Sequence, residues 1–189
     1  MILFTDNVRD GTTYIRWGKT SCSNYTDAEL VYDGYATGGY YTHTGSGTNY
    51  LCLPKDPLHE PDIASGSRVR IYGAEYTKQP GFKNNLHNHD VPCAVCRTHR
   101  TNVLMIPGRK QCYNKWRLEY HGFLMTSLYT DASPKEFVCM DADPESLDSG
   151  FEDQNGALFY PVEARCGSLK CPPYIDNREV TCSVCSYIG

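Results

Sequence analysis

Long hydrophobic runs are missing from this sequence. No apolar stretch approaches the ~18 residues that a membrane-spanning helix needs, so the expectation is a soluble or peripheral protein. Basic runs are missing as well. Lys and Arg number 18 against 22 Asp and Glu, a net charge of −4, and no basic helix or aromatic RNA-binding signature accompanies them. Nucleic acid is therefore not an expected partner. The opening MILFTDNVRD has neither the basic lead nor the longer apolar core of a secretory signal. The reading is that a signal has been removed or that the chain begins at its mature domain. No segment repeats apolar residues at spacings of 3, 4 and 7 over three turns, which argues against a long amphipathic helix. Enzymatic signatures are absent too: there is no Gly-x-Ser-x-Gly, no phosphate-cradling glycine loop and no His-Glu-x-x-His. The expectation is a protein that is not an enzyme.

Cysteine, by contrast, is abundant. Ten in 189 residues is an even, dispersed set, which reads as a disulfide framework and hence an oxidising, secreted setting. Asn24-Tyr25-Thr26 is a glycosylation acceptor and fits that setting.

The chain also repeats itself. TYIRWGKTSC, ELVYDGY, NYLCL, RIYGAEY and VPCAVC are followed in the same order by VLMIPGRKQC, RLEYHGF, EFVCMD, LFYPVEA and VTCSVC. Cys112 follows Cys22 by 90 residues, Cys139 follows Cys52 by 87, and Cys182 and Cys185 follow Cys93 and Cys96 by 89 each. A first repeat over 11–98 and a second over 101–187 result, joined near RTHRTN and packed as one compact unit. Cys166 and Cys171 are left over within the second repeat, and the polar gap GSLK between them suits a small bridged loop. Pairing of the other eight stays open, since four cysteines permit three connectivities.

Duplication also bears on NNLHNHDVPCAVCRTHR, where Cys93-x-x-Cys96 sits beside His87, His89 and His99. Those residue types at that spacing suggest zinc. The second copy keeps Cys182-x-x-Cys185 but has no histidine near it, whereas a tetrahedral site needs four ligands. The shared element is therefore read as a disulfide anchor, and the histidines as an addition to one copy.

Short alternating runs rich in β-formers recur throughout, including TTYIRW, ELVYDGY, NYLCL, RVRIY, WRLEY, ALFYPVE and EVTCSV. Fifteen tyrosines suit half-buried sheet faces, and Gly or Pro punctuates nearly every gap. The predicted fold is all-β and disulfide-rich, with two internal repeats related by pseudo-two-fold symmetry. DPLHEPDIA and DPESLDS are each predicted to form one helical turn capped by Asp56 or Asp143. Trp17 and Trp116 are read as mainly structural.

Two loops carry possible chemistry. Around 84–90, Asn85, Asp90 and the preceding Glu75 offer the oxygens that calcium takes in sets of six to eight. His87, Asn88, His89 and Asn85 can hydrogen-bond sugar hydroxyls, imidazole being donor at one nitrogen and acceptor at the other. The competing reading is an Asx-turn-rich loop that satisfies its own backbone. The second loop, MDADPESLDSGFEDQNGALF, has the composition of a calcium loop without its carboxylate spacing, and reads as a solvated acidic loop.

TTYIRWGKTSC, YATGGYYTHTGSGTNYLCLP, NLHNHDVPCAVC, VLMIPGRKQC, NGALFYPVEARCGSLKCPPYI and REVTCSVC resemble the non-collagenous domain of invertebrate, sponge-type short-chain collagens over nearly all of 11–187. The chain has no Gly-X-Y run, so it corresponds to the globular module alone. That family is similar, distantly, to the tandem domain ending type IV collagen, and sea-anemone lectins that bind galactose through calcium lie near it. The resemblance implies a secreted carbohydrate-binding protein, calcium-dependent and directed at glycans with terminal galactose. Its alternative is an extracellular-matrix assembly domain. Avidity from linked sites favours a homodimer.

Overall fold

A computed structural model describes residues 11–59, 67–79, 81–82, 84–148 and 150–189. Ten strands form, and no helix occurs among the described residues: β1 (Thr12–Trp17), β2 (Glu29–Gly38), β3 (Leu51–Pro54), β4 (Tyr72–Tyr76), β5 (Pro92–Thr98), β6 (Val103–Pro107), β7 (Trp116–Thr126), β8 (Val138–Asp141), β9 (Ala157–Pro161) and β10 (Thr181–Tyr187). β5 pairs antiparallel with β1 and β2, and β2 also pairs with β3 and β4. β10 pairs with β6 and β7, and β7 also pairs with β8 and β9. Two parallel contacts, β1 with β8 and β4 with β9, join these groups. The pairing path β7–β8–β1–β5–β2–β4–β9 returns to β7 and so closes on itself.

Period-two alternation along the strands feeds two apolar clusters. Cys93 of β5, Val138 and Met140 of β8 and Met125 of β7 enter one, with Trp17, Tyr50, Tyr76 and Phe159. Their sequence neighbours Ala94, Cys139 and Leu124 enter the other, with Tyr14, Tyr120 and Val184. Strands buried on both faces need small side chains at the crossings, and PCAVCRT and TCSVCSY supply them. Trp17 is buried, while Trp116 is half-buried with its ring centroid 5.3 Å from that of Tyr187.

All ten cysteines are bonded. Cys22 pairs with Cys96, Cys52 with Cys93, Cys112 with Cys185, Cys139 with Cys182, and Cys166 with Cys171. Each of the two CxxC motifs thus holds two different segments to one central strand. Side chains cross-link strands as well. Arg16 pairs with Asp141 at 2.8 Å, and Tyr120 donates to the carbonyls of Ile15 and Cys139 at 2.9 Å each. Buried Glu119 accepts from Tyr14 at 3.0 Å and from Ser186 at 2.5 Å.

Three sequence expectations change. RVRIY is not a strand; pairing begins only at Tyr72, where the chain reaches the end of β2. DPESLDS makes no helical turn over its described residues. Asp143 donates its N–H to Asp141 instead, and the Glu145 N–H goes to the Gly18 carbonyl at 2.8 Å, so tertiary contacts replace helical bonds. DPLHEPDIA forms no helix over 56–59, and the rest of that stretch lies outside the described residues.

Candidate functional site

The loop 84–90 is a tight turn fastened to the end of β4. Buried Leu86 anchors it, and the His89 N–H donates to the Leu86 carbonyl at 2.9 Å. Asn88 takes a left-handed φ of 62°, a conformation Asn tolerates better than most residues. Its N–H donates to the Tyr76 carbonyl at 2.9 Å, and the Tyr76 N–H returns to His89 at 3.0 Å. These bonds place Asp90 opposite Glu75 in an antiparallel bridge.

The second loop completes the site. Asp90 donates its N–H to the Gly150 carbonyl at 2.9 Å and accepts from the Leu147 N–H at 3.2 Å. Glu75, 3% exposed, accepts from the Gln154 N–H at 3.2 Å. Gly150 has to be glycine here, because a Cβ on it would lie 1.9 Å from Asp90 Oδ2. The two loops that sequence reading kept apart therefore meet at one pair of carboxylates.

Burial lifts the Glu75 carboxyl above the usual range, and the charges of Asp90 and Asp153 push the same way against the backbone amides of Gln154 and Asn155. Burial lifts Asp90 as well, with His89 opposing. Neither carboxylate is ion-paired to a Lys or Arg among the described residues. Two like charges are thus held close in a partly dehydrated place with no Lys or Arg ion-paired to them among the described residues, an arrangement a bound cation would relieve.

Asp90 opens onto a cleft of ≈ 280 Å³ lined also by Tyr35, Leu53, Ile71, Tyr72 and Leu147. Alternation on β2 turns Tyr35 outward, 44% exposed and paired across to Leu53 of β3. A carboxylate above an aromatic and aliphatic floor is chemically suited to a ligand with one polar edge and one apolar face.

Of the residues singled out from sequence, Glu75 and Asp90 are brought together. His89 is half-buried, its ring centroid 5.5 Å from that of Phe151 and its Nδ1 3.0 Å from the His87 carbonyl. His87 is exposed. Asn88 serves the turn through its backbone. Asn85 lines a separate cleft with Thr77, Gln79, Phe82 and Asn84, and shares no hydrogen bond with Glu75 or Asp90. No group of three or more His, Cys, Asp or Glu side chains is arranged to hold a metal among the described residues. The cysteines beside the histidines are in disulfides and offer no thiolate to zinc.

No protein-family model matches the chain, and no curated protein does.

The acidic loop is less solvated than expected. Asp141 is buried against Arg16, and Glu145 accepts from Lys19 Nζ and from the Thr20 N–H and hydroxyl at 3.0–3.1 Å. These contacts, with the Lys19 amine first among them, hold the Glu145 carboxyl below its usual range against the opposing effect of burial. Tyr35, Tyr72 and Gly150 escaped sequence reading. Tyr72 carries a usable signal, standing on the same strand as Glu75; Gly150 carries none, because its partner is 60 residues away in the chain.

Proposed function

We propose that this protein is a non-enzymatic carbohydrate-binding protein that takes a galactose-type sugar in the Asp90 cleft with the help of calcium. The observation that carries the reading is the Glu75–Asp90 pair: Glu75 is buried, Asp90 is half-buried and opens onto a tyrosine-lined cleft, and neither is ion-paired to a Lys or Arg among the described residues. Glu75 and Asp90 would hold the ion. Calcium takes six to eight oxygens, so two carboxylates leave coordination positions for water and for vicinal sugar hydroxyls. Tyr35 and Tyr72 supply rings for the apolar face of a sugar. A framework of five disulfides presents these groups with little ordering cost and is consistent with an extracellular protein. The sequence blocks resemble short-chain-collagen domains, a group near which calcium-dependent anemone lectins are placed, and this resemblance is in keeping with the reading.

We also infer that the scaffold is two copies of one five-stranded unit. Supporting this, Cys22–Cys96 and Cys112–Cys185 have separations of 74 and 73, and Cys52–Cys93 and Cys139–Cys182 of 41 and 43. Asn88 and Asn177 share a left-handed φ, 62° and 59°. The bridge Glu75–Asp90 has its counterpart in Glu163–Glu179. In that second copy both glutamates are exposed and Glu179 accepts from Gln79 at 3.2 Å, so only the first copy dehydrates its carboxylates over a cleft.

Calorimetric titration with lactose tests the reading. Binding is expected with calcium and lost both in excess chelator and in Tyr35→Ala. Lactose binding unchanged by chelator removes calcium from the reading, and the absence of binding to any galactoside removes the lectin.

A further inference from the structure

Asn24-Tyr25-Thr26 takes no part in the Asp90 cleft. Of the ten asparagines in the chain, Asn24 alone has a Ser or Thr two residues on, the pattern that accepts an N-linked glycan on a surface loop of a secreted protein. We propose that Asn24 is glycosylated on its Nδ2, at the turn that leads from β1 to β2. This goes beyond the lectin reading and shares with it only the extracellular setting.

The Thr26 N–H donates to the Ser23 carbonyl at 3.5 Å, so 23–26 is a β-turn with Asn24 and Tyr25 at its two corners. The turn is held from within. Cys22 is buried and bonded to Cys96, Ser23 is buried, and Arg117 Nη2 donates to the Tyr25 carbonyl at 2.7 Å. Asn24 and Tyr25 are both exposed, and the Asn24 side chain makes no hydrogen bond among the described residues.

An asparagine at a turn corner ordinarily serves the turn itself, its side-chain oxygen accepting a nearby backbone N–H. The chain shows that use 90 residues on, at the spacing that separates Cys22 from Cys112. There the Trp116 N–H donates to the Tyr113 carbonyl at 3.1 Å, and Asn114 Oδ1 accepts from the Lys115 N–H at 3.0 Å. The matching N–H in the first turn is that of Tyr25, and it goes to Ser23 Oγ at 3.3 Å instead. Ser23 does for its turn what Asn114 does for the other, and Asn24 is released. The last position of the turn differs as well: Thr26 in the first, Trp116, which has no hydroxyl, in the second. Of these two turns, the first alone combines a free, exposed carboxamide with the hydroxyl that the acceptor pattern requires.

The step is a glycosyl transfer from a lipid-pyrophosphate-linked oligosaccharide. A bond forms between Asn24 Nδ2 and the anomeric carbon, the bond from that carbon to the pyrophosphate oxygen breaks, and Nδ2 gives up one proton. The folded protein has then to leave room for the product, a condition that an exposed turn corner meets.

The full gene product, expressed in insect cells without an added leader, tests the site. Mass spectrometry of the chain from the medium is expected to show N-acetylhexosamine and hexose units on the peptide that holds Asn24. Peptide N-glycosidase should remove them and convert Asn24 to an aspartate. Asn24→Gln and Thr26→Ala should each abolish the added mass completely, while Thr26→Ser keeps it. A secreted chain with a bare Asn24, or added mass that survives Asn24→Gln, overturns the site. A chain retained in the cytosol overturns both the site and the extracellular setting. Galactoside binding is a separate readout: its failure removes the lectin and leaves a glycosylated Asn24 standing.

Discussion

Asp90→Asn separates the two roles of the carboxylate pair, because it removes a charge while keeping the side chain's shape. The loop should survive it, since Asp90 is tied to Gly150 and Leu147 through its backbone. Without calcium, Glu75 and Asp90 both have carboxyl groups raised above their usual range, first by burial. A raised folded-state value means that the native protein holds these protons more tightly than the unfolded chain does. The associated stability is complete at low pH and is lost as pH climbs through the raised values. At neutral pH the pair is therefore a liability, and removing one charge should stabilise the calcium-free protein by about 1 kcal/mol, or roughly 2–4 °C in a domain of this size. With calcium the sign reverses. At a free concentration about a hundredfold above Kd, binding to the native state contributes ~2.7 kcal/mol, or about 5–11 °C. The wild type should show that rise, and Asp90→Asn should not. Differential scanning calorimetry with calcium and with chelator, at neutral pH and near pH 4, reads all four quantities. A variant that keeps the full calcium shift, or that melts lower than wild type in chelator, refutes the reasoning.

Other substitutions probe the scaffold. Replacing Cys22 and Cys96 together by Ala opens a loop with a sequence separation of 74, for which chain entropy gives a loss of ~4.5 kcal/mol and roughly 9–18 °C in melting temperature. A smaller shift than the Cys166/Cys171 double variant would contradict this. Gly122→Ala brings a Cβ to 1.8 Å from the Met140 carbonyl oxygen, and a loss of about 3 kcal/mol or more is expected in urea melts; a change within ~0.5 kcal/mol would be inconsistent with the β7–β8 packing. Asp141→Ala strips the partner from Arg16, whose side chain is 14% exposed, and should cost about 3 kcal/mol, whereas Arg16→Met with Asp141→Leu should recover much of it.

Much of the all-β architecture was legible because alternation is a local signal. ELVYDGY and EFVCMD announce strands without reference to any partner. The disulfide framework was legible for a similar reason, as ten dispersed cysteines need no geometry to be recognised. Connectivity was not, since it depends on which strands lie side by side. The site was half legible. Glu75 and Asp90 stood out as oxygen donors near one another in sequence, but their burial comes from a segment about 60–80 residues further on. The helical turn expected at DPESLDS failed for the same cause: Asp-Pro is a sound local start, yet Glu145 finds stronger bonds at Gly18, Lys19 and Thr20.

The closed pairing path leaves few places where a neighbouring molecule could add a strand. Of the ten strands, β3 and β6 each have a single partner, and both are short and end in proline, at Pro54 and Pro107. Proline removes a backbone donor and discourages further pairing. Concentrated solutions of this chain should accordingly resist fibre growth by addition to these described strands.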